Sequence, residues 1–374
     1  MDEKNEILDT IDSGWLSTGP KTFLFEEKVK EYLGDPELEV IPISSCTAGL
    51  HVQLLAAGVG HGDEVITTPL TFCATINTIL YAGAKPVLVD IDPVTFSIDL
   101  NKLESVITPR TKAVVPVYYA GQAIDHDSLK AITDKYGIYI LADAAHAMGA
   151  KYKEKFCGTY EDAASFSFYA TKNFTTGEGG LITTKNKDWS ARMRRMLSNG
   201  INKDAWMRYS ENGTWYYEVS MLGYKYNFTD IQAAFGLHQL KKIDDFNRLR
   251  RELSAVYDAE LQGLEYLKTP SEIKDVYHIK HLYPIVLNTD KLKISRETVI
   301  SRLKERNIGC SVHYVPINFH PYYRESLGIN PGDFPVSDGI YKGLISLPLY
   351  TKLDPEMLKK ISANLREICE TNLA

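Results

Sequence analysis

Between about residue 40 and residue 200, short apolar segments alternate with stretches of helical periodicity. Predicted strands are 64–68, 86–90, 113–118, 139–143, 164–168 and 181–183, and predicted helices are 48–57, 73–81, 101–107 and 128–136. Strands such as KAVVPVY and IYILAD are almost continuously apolar, as expected where helices cover both faces of a sheet. This alternation predicts an α/β fold with a mostly parallel central sheet flanked by helices and joined by right-handed crossovers.

A second, smaller domain is predicted after the alternating region. The chain has 374 residues, more than one hydrophobic core usually organises. The amphipathic stretch 230–261 is too long for an ordinary packed helix, and we expect it to link two domains. Beyond it, HLYPIVL and CSVHYVP are predicted strands, and 295–306 and 355–369 are predicted helices. We place an N-terminal segment at 1–20, a large α/β domain at 21–245 and a small α+β C-terminal domain at 246–374.

Charge and cysteine content argue against several kinds of partner and site. The net charge is −6, whereas nucleic acids and anionic membranes favour a basic stripe, so neither is an expected partner. The five cysteines are odd in number and form no C-x-x-C pair, which argues against disulfides and a cysteine metal site. The N-terminus lacks the pattern of a signal peptide, and no apolar run approaches the roughly 18 residues that span a bilayer. We therefore expect a soluble, cytoplasmic protein.

Ligands of open parallel sheets bind at the carboxyl ends of the strands, so the residues that follow each strand matter most. Asp143 in ILADAAHAMGA occupies such a position. A lone aspartate there is more often a helix cap, but a buried carboxylate can instead pair with a cationic ring nitrogen, as a pyridine cofactor requires. His146 can pack over or beside the same ring, and a purely structural histidine is an equal alternative.

Lys172 lies in the most informative segment, ASFSFYATKNFTTGEGGLITT. Most lysines are solvated surface charges, but this one follows the end of a predicted strand in a loop between two apolar strands. Partial burial would lower its pKa and make the amine nucleophilic. Ser167 is placed to reach a phosphate oxygen, while Gly177, Gly179 and Gly180 either allow close backbone approach or are turn residues.

Two further segments suggest cofactor contacts more weakly. In ISSCTAGLH, a short strand leads into a helix, where Thr47 and Ala48 would present free N–H groups to a phosphate, although such a pattern is more often an ordinary helix cap. Phe72 follows a strand and can stack on a flat cofactor, but a lone aromatic residue is more often part of the core. No metal site is expected at His278 and His281, because no carboxylate or cysteine lies at ligand spacing.

Taken together, several motifs resemble one known family: WLSTGP, SSCTAGLH, GDEVITTPLTFCAT, GAKPVLVDIDP, ITPRTKAVVPVYYAG, ADAAHAMGA, FSFYATKNFTTGEGG, GYKYNFTDIQAAFGLHQL and SLPLYTKL. The family is the DegT/DnrJ/EryC1/StrS sugar aminotransferases, which are pyridoxal-phosphate (PLP) enzymes of fold type I. The likeness runs in order through 15–353. It implies PLP as the cofactor, glutamate and 2-oxoglutarate as the donor pair, and a nucleotide-linked keto sugar as the acceptor, most readily a 4-keto-6-deoxyhexose or 4-keto pentose.

The resemblance also implies roles at the reacting end of the cofactor. Lys172 matches the lysine that forms the Schiff base with PLP and then acts as general base. Asp143 matches the carboxylate on the pyridine nitrogen, and His146 matches the histidine beside the cofactor. Phe72 matches the aromatic residue stacked on the ring.

Other roles implied by the resemblance concern the phosphate and the substrate. Thr47, Ala48 and Ser167 match the residues that bind the cofactor phosphate. Asn227 in GYKYN matches an asparagine that reaches the phosphate in the neighbouring subunit, which implies a homodimer with shared active sites and places the segment 1–20 at the active site. Candidate contacts to the substrate, each as readily a surface or packing residue, are Ser17, Thr18, Lys225, His313 and Tyr314.

Three other functions stay open on the sequence. The chain could aminate a keto-cyclitol or a 3-keto sugar, or it could be a non-catalytic regulator on the same fold. The lack of a G-x-G-x-x-G after a strand argues against a nicotinamide oxidoreductase.

The sequence departs from many relatives at Ala142 and Tyr169, and Tyr169 could alter the contacts around the lysine. Family members with histidine at the lysine position are dehydratases, and Lys172 argues against that activity.

Overall fold

The computed structural model describes residues 2–201 and 216–374. The described strands are β1 Glu39–Ile43, β2 Glu64–Thr67, β3 Lys85–Leu88, β4 Thr111–Val114, β5 Tyr139–Asp143, β6 Lys151–Tyr152, β7 Lys155–Phe156, β8 Ala163–Ser167, β9 Gly180–Thr184, β10 Leu267–Lys268, β11 Val276–Tyr277, β12 Tyr283–Leu287 and β13 Leu344–Leu347. Seven of them form one sheet in the order β1-β9-β8-β5-β4-β2-β3. Strands β8, β5, β4, β2 and β3 run parallel, and β9 pairs antiparallel with β8 and β1. The predicted α/β fold with a mostly parallel sheet is confirmed.

The described helices are α1 Asp2–Asp12, α2 Pro20–Leu33, α3 Cys46–Ala56, α4 Cys73–Tyr81, α5 Leu100–Leu103, α6 His126–Tyr136, α7 Lys187–Leu197, α8 Asp230–Leu240, α9 Ile243–Leu261, α10 Arg296–Glu305, α11 Pro321–Leu327, α12 Pro335–Gly343 and α13 Pro355–Glu370. The large sheet is covered on both faces, because alternate residues of its strands enter different hydrophobic clusters. In β4, Val114 belongs to one cluster and Ala113 to another. This two-sided burial explains why these strands are continuously apolar.

A second core forms in the C-terminal third around the antiparallel sheet β10-β12-β13. Helix α9 spans the two cores: Ile243 packs in the large one, whereas Leu253 and Leu261 pack in the small one. The proposed boundary at 245/246 falls inside this unbroken helix. The division into 1–20, 21–245 and 246–374 stays a prediction.

The stretch 230–261, which is too long for one packed helix, divides into α8 and α9 at Lys241 and Lys242. One predicted element is wrong. CSVHYVP is not a strand: only Ser311 forms an isolated bridge, and the His313 carbonyl accepts from a tyrosine hydroxyl instead of a neighbouring strand. Within the described residues, the structure contains no helix that is both long and apolar enough to cross a membrane.

Candidate active site

One edge of the large sheet gathers the residues that follow its strands. Strand β2 leads to Phe72 and β4 to Tyr118, while β5 ends at Asp143 and β8 at Ser167. These strands are parallel, so their carboxyl ends meet at the same edge. Strand β1 runs in the direction of β8 because β9 is antiparallel to both, and the start of α3 therefore reaches this edge too.

A cavity of about 350 Å³ opens at this edge, and we call it the lysine cavity. Phe72 is 55% exposed, so the alternative that it belongs to the core is wrong. His313 and Tyr314 join the cavity from the C-terminal part of the chain. The predicted site residues that line it are Thr47, Phe72, Asp143, His146, Ser167, Lys172, His313 and Tyr314.

The loop that carries Lys172 is anchored on both sides of the lysine. Phe168 and Phe174 are fully buried and pack edge to face, with ring centroids 4.5 Å apart. The side-chain amide of Asn173 donates to a backbone carbonyl after β5 at 2.8 Å and to Oδ1 of Asn247 in α9 at 2.9 Å. The backbone of Lys172 is therefore fixed while its side chain extends into the cavity.

The Lys172 amine is suited to react. Burial lowers its pKa, and the nearby Cys46 and Asp143 act in the opposite direction. Within residues 2–201 and 216–374, Nζ makes neither a hydrogen bond nor an ion pair. An unpaired amine with a depressed pKa loses its proton at lower pH than a surface lysine, and the neutral form is both nucleophile and base.

Asp143 is a buried carboxylate held by neutral donors. Its Oδ2 accepts from the Thr75 hydroxyl at 2.7 Å, and its Oδ1 accepts from the Ala145 N–H at 3.1 Å. Thr75 lies 2.7 Å from the hydroxyl of Thr71. Burial raises the pKa of Asp143, and the two hydrogen bonds oppose that rise. No lysine or arginine in the described chain forms an ion pair with it, so the carboxylate is suited to a cationic ligand.

The histidine predicted beside the cofactor lies in a cluster of rings. His146 Nε2 is 2.8 Å from the Tyr314 hydroxyl, and its ring centroid is 4.5 Å from that of His281. His146 Nδ1 has no partner within the described chain. Burial lowers the pKa of His146, and burial lowers the pKa of His313 to about 4. These rings are therefore neutral near neutral pH.

The start of α3 presents free hydrogen-bond donors to the cavity. Ser45 caps the helix, its hydroxyl accepting from the Ala48 N–H at 3.1 Å. Because the Ala48 N–H already donates to Ser45, and because Ala48 is buried and does not line the cavity, this chain alone does not present that amide to a ligand. The Thr47 N–H bonds to nothing in the described residues, and the half-buried Ser167 hydroxyl accepts only a 3.3 Å bond from Tyr169. Thr47 and Ser167 can therefore serve an anion.

The glycines after the lysine differ in purpose. A Cβ on Gly180 would lie 2.7 Å from the Cys46 nitrogen, so only glycine lets β9 approach the start of α3. Gly177 has a φ of +82° with no neighbour within 4 Å of a Cβ, so it is a turn residue. Both readings of these glycines are therefore correct, at different positions.

The remaining predicted residues lie elsewhere. Ser17, Thr18, Lys225 and Asn227 line a separate cavity of about 470 Å³, which we call the N-terminal cavity, and none of them lines the lysine cavity. The Asn227 amide donates to the Thr18 hydroxyl at 3.0 Å and lies 3.5 Å from that of Ser17. The predicted site is thus divided between two cavities of one chain.

Several residues of the site were not predicted. Thr75 supports Asp143, and its only sequence signal is its position one helical turn from Thr71 in TPLTFCAT. The Tyr118 hydroxyl, beside the lysine cavity, donates to Glu161 at 2.5 Å. Glu161 is buried, which raises its pKa to about 7. Nothing in the local sequence around Glu161 indicates this contact.

Comparison with known proteins places the chain among aminotransferases. The sequence profile of the DegT/DnrJ/EryC1/StrS aminotransferase family matches residues 1–366. The spore coat polysaccharide biosynthesis protein SpsC of Bacillus subtilis is 45% identical over 368 residues, 98% of this chain and 94% of SpsC.

Solved structures agree with the sequence comparison. The candidate sugar aminotransferase Spr1654 of Streptococcus pneumoniae, in its pyridoxamine-phosphate (PMP) form, superposes with a TM-score of 0.93 at 33% identity, covering 99% of this chain and 97% of Spr1654. Its PLP form superposes with a TM-score of 0.91. PseC of Helicobacter pylori, an aminotransferase involved in pseudoaminic acid biosynthesis, has a TM-score of 0.91 at 30% identity, covering 99% of this chain and 97% of PseC.

Proposed function

Because the chain belongs to the DegT/DnrJ/EryC1/StrS aminotransferase family and is a PLP-dependent enzyme, we propose that it transfers an amino group from glutamate to a nucleotide-linked keto sugar. A 4-keto-6-deoxyhexose or a 4-keto pentose is the proposed acceptor. One observation carries the proposal: the Lys172 amine and the buried Asp143 carboxylate face the same cavity, close enough to influence each other, yet neither forms an ion pair within the described residues.

The residues of the lysine cavity fit PLP. When bound, PLP supplies an aldehyde carbon and a pyridine ring that accepts electrons. Lys172 would hold the aldehyde end and Asp143 the ring nitrogen, while Phe72 would stack on the ring and His146 would pack over or beside it. His146 supports this fit because its buried ring lines the cavity and its Nδ1 has no partner in the described chain, which leaves that nitrogen available to a ligand.

Lys172 is proposed both to attach the cofactor and to move protons. Its depressed pKa raises the fraction of neutral amine near neutral pH, which both tasks require. Anchoring of the loop through Asn173 keeps the amine within reach of one position as it is bound and released. The Lys172 amine would carry the proton between the substrate carbon and the cofactor.

Asp143 is proposed to keep the ring nitrogen protonated. A buried carboxylate gains most from a cation placed against it, because the low dielectric strengthens the attraction. The Thr75 hydrogen bond favours the ionised form of Asp143 and so supports this role. At the opposite end, Thr47 and Ser167 are proposed phosphate ligands, with Ala48 positioned in the same helix turn.

We propose that two chains form a homodimer with shared sites. Ser17, Thr18, Lys225 and Asn227 line the N-terminal cavity and do not reach the lysine cavity of their own chain. In the dimer, Asn227 would reach the phosphate in the partner and the other three residues the nucleotide-linked sugar, together with His313 and Tyr314 of that partner. All five cysteines are free, which supports the proposed location in the reducing cytoplasm.

Two experiments test the proposed function. Borohydride reduction of the PLP form followed by peptide mapping should place the label on Lys172, and Lys172→Ala should carry none. Enzyme loaded with PMP should then be mixed with UDP-, dTDP- and GDP-linked keto sugars and, as a contrast, an inosose. Recovery of PLP absorbance with one nucleotide sugar is expected. Recovery with the inosose alone would replace the nucleotide sugar by a keto-cyclitol, and a label on another lysine would overturn the site.

A further inference from the structure

Asp230 is a buried carboxylate to which a distant chain segment is tied. It is 1% exposed and occupies the first position of α8, directly after the cap residue Thr229. Its Oδ1 accepts from the Gly19 N–H at 2.8 Å, the Thr22 N–H at 2.9 Å and the Thr22 hydroxyl at 2.7 Å, and its Oδ2 accepts from the Lys21 N–H at 3.0 Å. One side chain thus satisfies four donors.

These donors belong to the first turn of α2, which lacks a cap of its own. The residue before this helix is Gly19, whose missing side chain leaves the first amides without an acceptor. Asp230 supplies that acceptor from across the fold. Its charge also lies at the positive ends of two helix dipoles, those of α2 and α8, which stabilises an anion that has no cationic partner in the described chain.

The same junction fixes the residues of the N-terminal cavity. The Asp230 N–H donates to the Ser17 carbonyl at 3.1 Å, and the Thr18 hydroxyl donates to the Phe228 carbonyl at 2.5 Å. The Asn227 amide bonds to Thr18 in turn. Ser17 and Thr18 directly precede the turn that the Asp230 carboxylate holds, and Asn227 lies three residues before Asp230. The carboxylate, which does not itself line the cavity, therefore joins the two segments that carry these residues.

We infer that Asp230 is a positioning residue for the active site of the partner subunit. It holds the start of α2 against the turn before α8, so that Ser17, Thr18 and Asn227 are presented together to the cofactor and substrate of the other chain. This inference rests on the proposed function, and specifically on a homodimer with shared sites.

Heterodimers with one altered residue in each chain test whether Asp230 serves the active site of the partner subunit. A chain with Asp230→Ala and a chain with Lys172→Ala, carrying different affinity tags, are co-expressed and the mixed dimer is isolated. One of its two sites then combines an intact Lys172 with an intact Asp230 from the other chain. We expect about half of the wild-type activity per dimer, although each homodimer alone loses at least about tenfold in kcat/KM.

Matched variants separate positioning from stability. Asp230→Asn keeps the three bonds to Oδ1 and removes only the acceptor for the Lys21 N–H. It should therefore lose less activity than Asp230→Ala. If the alanine chain does not fold, the Asp230→Asn chain replaces it in the mixed dimer. Asp99→Ala removes another buried helix-capping carboxylate, the one that caps α5, and should leave kcat/KM unchanged. Retention of PLP during dialysis, followed by absorbance, should fall in the Asp230 homodimers and return at one site of the mixed dimer.

A parallel heterodimer of Asn227→Ala with Lys172→Ala distinguishes the two ways to fail. If that pair regains activity and the Asp230 pair does not, Asp230 serves its own chain and the inference is wrong, while the shared site stands. If neither pair regains activity, the shared site itself is wrong and the inference falls with it.

Discussion

The hydroxyl of Thr75 donates a 2.7 Å hydrogen bond to Oδ2 of Asp143 at the edge of the large sheet. This bond stabilises the ionised carboxylate against burial, which otherwise raises the pKa of Asp143. Asp143, the proposed partner of the ring nitrogen, is therefore held by a residue of another element, α4. Phe72, the proposed stacking residue, directly precedes the same helix, so one helix positions both residues.

Thr75→Val should weaken the site without changing its shape. The substitution leaves a buried carboxylate oxygen without its donor, which costs about 1–3 kcal/mol. We expect weaker PLP binding and about a tenfold lower kcat, measured by titration with PLP and by steady-state assay. Thr78→Val is the matched control, because within the described residues the Thr78 hydroxyl bonds only to the Thr75 carbonyl. Equal behaviour of the two variants would contradict the role of this hydrogen bond.

Asn173→Ala should release the loop that carries Lys172. The variant loses the hydrogen bonds to a carbonyl after β5 and to Asn247, so the amine samples more positions. We expect kcat to fall about tenfold or more while KM changes little, since orientation and not substrate contact is lost. Asn186→Ala, which removes the exposed cap of α7 beyond β9, is the control. A rise in KM with an unchanged kcat would argue against the anchoring role.

Tyr314→Phe should affect His146 more than the cofactor. Removal of the hydroxyl leaves both nitrogens of the buried His146 ring without a protein partner. We expect an unchanged PLP absorbance spectrum with about a tenfold loss in kcat/KM for the sugar half-reaction. Tyr323→Phe, whose hydroxyl bonds to Asn77 outside the lysine cavity, should behave as wild type. A Tyr314→Phe enzyme with full activity would show that the contact is only structural.

Glu161 should make the free energy of unfolding depend on pH. Burial raises its folded-state pKa from 4.5 to about 7, so the folded chain binds more protons than the unfolded chain between these values. The free energy of unfolding should therefore fall as the pH rises through this window, by up to about 3 kcal/mol, and then level off. Urea unfolding of cofactor-free wild type and Glu161→Gln across pH 4.5 to 8 measures this. Parallel curves for the two proteins would refute the assignment.

The sequence alone predicts the limits of elements whose ends are set by residues next to them in the chain. Strand β5 was predicted at its observed limits because a continuous apolar run ends at a polar residue, Asp143, at the sheet edge. The length of 230–261 indicates that it does not form one packed helix, but the sequence does not show where it divides, because Lys241 and Lys242 are good helix formers.

Within the site, too, residues next to strand ends can be predicted, whereas residues that depend on tertiary contacts cannot. Lys172 and Asp143 could be found from strand ends and residue chemistry, and the structure brings them to one cavity. Asn173 could not be found, because its partner Asn247 is 74 residues away in α9, the helix that spans the two cores. Supporting residues of this kind are defined by tertiary contacts, which neither composition nor spacing records.

The close approach of Gly180 to Cys46 has a consequence for how such enzymes diverge. It brings the main chain of β9, which follows the loop that carries Lys172, against the first turn of α3. The distance between the amine and the proposed phosphate-binding turn is therefore set by the main chain and not by a side chain. His313 and Tyr314, in contrast, arrive on an irregular segment with a single bridge to its neighbour. Substitutions in that segment should therefore alter the proposed acceptor contacts without moving Lys172 relative to the start of α3.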